Sequence, residues 1–226
     1  LTAMDPGQIL VPTNFNPSNQ IYEPAHPNRE GIFTTIGAPA RRENRSTKTL
    51  WKGGYRTLQW KAEDPNGDEL RYALAFRRED DSDGWLEMAD QLEDEHYSFD
   101  STVLPDGRYR FRLQASDHKG NADGEDLLAT RISDQVVVDH SPPELGRVES
   151  GGSLKASATD LFSPLREAVY SVDAKEWRPA VAADGLIDGR SETFILEIND
   201  NARLLLLRLT DAHFNVITHD LTSYLP

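Results

Sequence analysis

The chain has 226 residues, with 38 Asp or Glu against 24 Lys or Arg, so its formal net charge is −14. That balance argues against a nucleic-acid partner, which needs a basic footprint, and against an anionic membrane surface. The absence of cysteine excludes disulfides, thiolate metal sites and a cysteine nucleophile, and no apolar run approaches the roughly 18 residues of a membrane span.

Residues 1–47 read as an extended arm or linker. Pro6, Pro12, Pro17, Pro24, Pro27 and Pro39 fall among asparagines, and neither helical nor alternating periodicity survives there. The segment is nevertheless more apolar than a solvated linker needs, and Ile9, Val11 and Phe33 are expected to dock on a neighbour or on the rest of the chain. The chain begins at Leu1 with no signal-peptide pattern, and it reads as a processed chain or a fragment.

After Lys48 the period becomes two. Leu70, Tyr72, Leu74 and Phe76 alternate with Arg71, Ala73, Ala75 and Arg77; Tyr109, Phe111, Leu113 and Ala115 alternate with Arg108, Arg110, Arg112 and Gln114. Such alternation predicts strands with one buried face. Asp64-Pro65-Asn66-Gly67-Asp68 and Pro105-Asp106-Gly107 supply the turns. Asp64, Tyr72, Trp85, Phe99 and Asp117 recur as Asp160, Tyr170, Trp177, Phe194 and Asp211, an offset of about 95 residues that marks a module present twice. Pro142 and Pro143 stop the last strand of the first copy. The predicted architecture is all-β: two tandem sandwiches, 48–141 and 142–226, preceded by the extended arm.

Three stretches of the first module resemble a fibronectin type III domain. Thr57-Leu58-Gln59-Trp60 looks like that family's second strand with its buried Trp, Leu70-Arg71-Tyr72 like its third, and Leu104-Pro105-Asp106-Gly107-Arg108-Tyr109 like its tyrosine corner. The second module departs from the pattern, with Arg203 at the place of Tyr109 and Ala156 near that of Trp60, and resembles a looser immunoglobulin-like sandwich. Trp60 to Asp68, Leu104 to Gly107, Val138 to Pro143, Ala158-Thr159-Asp160 and Tyr170 to Asp173 also resemble the paired sandwiches at the C-terminal end of large secreted bacterial β-propeller proteins. That resemblance implies a non-catalytic accessory or assembly role in a secreted, periplasmic or cell-surface setting.

Candidate chemistry is sparse. The six histidines show no metal-ligand spacing, and there is no G-x-S-x-G elbow or Gly-rich phosphate loop, so no enzyme is expected. Asp64, Asn66 and Asp68 copy the opening of an oxygen-ligand loop but lack the glycine and the bidentate Glu of an EF-hand. If the loops after the second and sixth strands share one pole, these residues face Asp117, Asn121 and Asp123 as a calcium candidate; otherwise they brace a turn. No other cofactor is expected. At the junction, Asp139 to Pro143 is expected to bring Asp160, Ser163, Asp211, His213 and Asn215 near Asp139 and the Asp106 turn. Arg71, Arg77, Arg108, Arg110 and Arg112 should form an outward basic stripe, either paired with local carboxylates or docking an acidic partner. Asn44-Arg45-Ser46 is a formal glycosylation sequon. The expected function is a non-enzymatic structural or protein-interaction module, and the alternative is a carbohydrate- or calcium-dependent adhesion module. The expected partners are accordingly a protein or a larger extracellular assembly, or else a glycan.

Overall fold

The computed structural model describes residues 1–16, 32–33, 46–81, 84–119, 126–151, 153–198 and 201–225. Contacts divide the chain into two units, Leu1–Val138 and Asp139–Pro226. The sequon residues Asn44 and Arg45, and the loop residues Asn121 and Asp123, lie outside the described residues.

In the first unit the strands are β1 (Thr2–Ala3), β2 (Gln8–Pro12), β3 (Thr47–Trp51), β4 (Tyr55–Gln59), β5 (Arg71–Arg78), β6 (Leu86–Leu92), β7 (His96–Asp100), β8 (Gly107–Ser116), β9 (Leu128–Ile132) and β10 (Val136–Val138). One sheet has the order β1-β4-β7, and the other the order β10-β8-β5-β6, with β9 also on β8. The alternating residues decide which face is buried. Tyr72, Leu74 and Phe76 of β5, with Tyr109, Phe111 and Leu113 of β8, meet Leu58 and Phe99 of the other sheet in one core, each such side chain contributing about 1.5–3 kcal/mol when fully buried. Trp60 sits edge-on to Tyr72, with ring centroids 5.3 Å apart. The corner forms as the resemblance implied: Tyr109 is buried and its hydroxyl donates to the Pro105 carbonyl at 2.7 Å.

The segment read as an arm is part of this unit wherever it is described. β1 pairs antiparallel with β4, and β2 pairs with β3. The hydroxyls of Thr57 and Ser98 bond backbone groups of Gln8 and Leu10. Ile9 and Val11 are buried against Tyr55. Phe33 enters the sandwich core, edge-on to Phe76 at 5.3 Å and to Phe99 at 5.6 Å. These three residues are therefore taken up by their own unit. Their apolar surface finds a nearer partner than a neighbouring protein.

The second unit comprises β11 (Glu144–Glu149), β12 (Leu154–Thr159), β13 (Leu165–Val172), β14 (Arg178–Pro179), β15 (Val181–Ala182), β16 (Ser191–Leu196), β17 (Leu205–Asp211) and β18 (Val216–Asp220). Its sheets run β11-β12-β16-β15 and β14-β13-β17-β18. Leu154, Ala156, Ala158, Phe194 and Leu196 from one sheet close on Leu165, Tyr170, Leu205, Leu207 and Leu209 from the other. Small alanines face large leucines here, so no buried Trp is required. Arg203 is exposed, and no tyrosine corner occupies its place.

Candidate functional site

Three carboxylates meet at one pole of the second unit. Asp139 begins the unit, Asp160 follows β12 and Asp211 ends β17, and one oxygen of each lies within 4.8 Å of the others. Short polar loops bring them in. Asp160 Oδ1 accepts from the Phe162 and Ser163 amides at 2.9 and 2.8 Å, and Asp211 Oδ1 from those of His213 and Asn215 at 2.8 and 2.9 Å. Two side chains stitch the loops together. The Ser163 hydroxyl donates to Asp139 Oδ2, and Asn215 Nδ2 donates to Asp211 Oδ2 and to the Asp139 carbonyl. His213 Nδ1 lies 4.0 Å from Asp139 Oδ2.

Asp139 and Asp211 are buried while Asp160 is partly exposed. Burial pushes the Asp139 and Asp211 carboxyls above their ordinary range, and repulsion from Asp160 adds to it; the Ser163 and Asn215 hydrogen bonds pull the other way. Three hard oxygen donors at this spacing suit a calcium ion better than a softer metal.

The sequence pointed instead to Asp64, Asn66, Asp68 and Asp117 in the first unit. Asp64 Oδ1 accepts from the Asn66 and Asp68 amides at 2.8 and 3.1 Å, and buried Asp117 Oδ1 from Leu127 at 2.6 Å. Each carboxylate braces its own loop, and among the described residues the three-carboxylate group forms only at the equivalent pole of the second unit. The extra carboxylate there is Asp139. The grouping of Asp139 with Asp160, Ser163, Asp211, His213 and Asn215 is the second-unit part of the expectation drawn from the junction.

The arginines do not form one continuous stripe. Arg71 is 4% exposed, with Glu93 Oε1 at 2.7 Å and Glu69 Oε1 at 3.5 Å. Arg110 grips Glu79 with two hydrogen bonds, at 2.6 and 3.0 Å, which hold the Glu79 carboxyl below its usual range. Arg77 and Arg112 lie over Trp85, their guanidinium carbons 4.8 and 5.1 Å from the ring centroid. Arg108 is exposed. The second unit repeats the device with Arg208 over Trp177 at 4.2 Å. These stacks escaped the sequence reading, although Trp85 and Trp177 stand at the repeat offset and Arg112 and Arg208 share it.

No protein-family model matches the sequence, and no curated protein does. Among solved structures, the crystal structure of the FN1–FN3 domains of chicken CNTN1 is similar at 15% identity and a TM-score of 0.28, over 74% of this chain and 62% of that one. This chain thus spans less than two thirds of that structure's length. The paired sheets, with the tyrosine corner of the first unit, define the protein as an all-β pair of fibronectin type III or immunoglobulin-like sandwiches. A fold of this kind hosts many functions, so the role rests on particular residues.

Proposed function

We propose that the chain is a non-enzymatic module that holds together a secreted or periplasmic bacterial assembly, with a β-propeller as its neighbour. The observation that carries the interaction part is β9. All five of its residues are exposed, and with the preceding residue it presents Leu127, Leu128 and Ile132 at 65, 62 and 45% exposure. β5 takes one edge of β8 and β9 shares the other with β10, so among the described residues β9 borders its sheet. A strand left this apolar at a sheet edge is suited to pairing with another chain. The extracellular setting rests on the sequence resemblance to propeller-associated sandwiches.

A photo-crosslinking residue at Leu128, compared with one at exposed Lys155 on β12, tests the reading in the native secreted fraction. A single discrete adduct through Leu128 and none through Lys155 is expected. No adduct at either position, together with turnover of a small-molecule substrate by the purified chain, would overturn it.

The grouping of Asp139, Asp160 and Asp211 favours a second reading, in which calcium stabilises the module. Calorimetry with calcium and then with chelator tests this. A melting temperature indifferent to both removes calcium and leaves the first reading intact.

A further inference from the structure

The chain is rich in carboxylates, yet none belonging to a described residue lies within ion-pair distance of Arg77, Arg108 or Arg112. Glu79, whose carboxylate feels the charge of Arg77, is already gripped by Arg110. The Nε atoms of Arg77 and Arg112 are buried and have no acceptor among the described residues. Stacking on Trp85 therefore fixes both guanidinium groups and seals each Nε from solvent, without supplying a carboxylate to either group.

Strand register places further groups on the same face. Ala75 and Arg112 are cross-strand partners, as are Arg112 and Ile132, and Gln114 and Thr130. Ala75 is buried beside the stack, whereas Ile132 and Leu128 stay exposed on the β9 side. The result is a tryptophan with two fixed arginines, flanked by exposed aliphatic residues and by exposed Arg108. Aromatic and arginine anchors of this kind dominate protein–protein interfaces.

We propose that the outer face of the sheet formed by β6, β5, β8 and β9, centred on Trp85, docks an acidic protein segment. Its carboxylates complete Arg77, Arg112 and Arg108, and its apolar side chains cover Ile132 and Leu128. The proposal rests on the interaction-module reading and names the partner's chemistry. A protein segment is favoured over a nucleic acid because the chain as a whole carries −14, which opposes a long polyanion but leaves room for a short acidic stretch that meets only the basic face.

The probe is a synthetic peptide alternating Glu and Leu, with its Lys-for-Glu counterpart and heparin as comparisons, added to the isotope-labelled full chain. The expected result is a set of shifts confined to the Trp85 indole, the Arg77 and Arg112 side chains and β9, with affinity falling as salt rises. Binding should weaken by about tenfold in the Arg77→Gln/Arg112→Gln double variant and by a smaller factor in Arg108→Glu, whose exposed side chain makes the variant safe to fold. Equal binding by wild type and both variants would overturn the proposal. So would binding of heparin, or of the Lys peptide, in preference to the acidic one. If Leu128 crosslinks in the native fraction while the arginine variants assemble normally, the arginine anchors are wrong and the module reading stands; if Leu128 gives no adduct and the acidic peptide does not bind, both are wrong.

Discussion

Phe33→Ala tests whether the N-terminal segment belongs to the first sandwich. Phe33 is 8% exposed and makes edge-on contacts with Phe76 and Phe99. Truncating a buried Phe costs about 3–5 kcal/mol, of which each aromatic pair supplies about 0.5–1.5 kcal/mol. For a unit the size of Leu1–Val138, roughly 3 °C per kcal/mol converts this to a fall of about 10–15 °C in its melting temperature. Hydrogen exchange followed by mass spectrometry, on peptides from β4, β5 and β8 across a denaturant series, isolates that unit's transition. Should Phe33→Ala fail to fold, Phe33→Leu keeps most of the volume and should cost less. Ile32→Ala is the control, since Ile32 is 59% exposed and surface changes of this kind stay within about 0.5 kcal/mol. A loss below about 1 kcal/mol for Phe33→Ala, or an equal loss for Ile32→Ala, would refute the assignment of Phe33 to the core. By the same reasoning, deleting residues 1–46 removes β1, β2 and Phe33 together, so it should destabilise the first unit severely.

Tyr109→Phe keeps the ring and removes its bond to the Pro105 carbonyl, so chemical denaturation should show a loss of about 0.5–1.5 kcal/mol; no loss would show that the hydroxyl does not tie the corner. Gly7 has φ +78°, and a Cβ there would lie 2.4 Å from Trp51 Nε1, so Gly7→Ala should cost more than about 1 kcal/mol and speed exchange at the Lys52 amide, which bonds the Gly7 carbonyl. Unchanged exchange would refute that. For the second unit, the raised Asp139 and Asp211 carboxyls hold protons more tightly folded than unfolded. Their stabilisation is full below the unfolded carboxylate range and is lost as pH rises through the folded values. Exchange-monitored stability of β12 and β17 should therefore fall across that window, and Asp160→Asn should flatten the fall by removing a negative charge from both groups. A fall unchanged by Asp160→Asn would show that the three carboxylates do not interact.

The sequence by itself determined the strands and the repeat. Alternation in Leu70–Arg77 and Arg108–Ala115 reveals which residues face inward, because a strand's side chains change sides at every residue. Pro105-Asp106-Gly107 followed by Tyr109 was sufficient for the corner, since both the turn and the hydroxyl bond are local in the chain. Tertiary structure decided the rest. Proline spacing predicts no helix in residues 1–47, and the described residues of that segment hold none, but it is silent about Phe33, whose place depends on the gap between Phe76 and Phe99. The aspartates after β4 and β12 read alike, and only the arrival of Asp139 gathers the second set into a three-carboxylate group. Alternation placed Arg71 and Arg112 on the same outward face, but their surroundings separate them: Glu93 and Glu69 enclose Arg71, while Trp85 holds Arg112 without a carboxylate. Local periodicity fixes the side of a sheet on which a residue stands, whereas burial and charge pairing depend on residues far away in the chain.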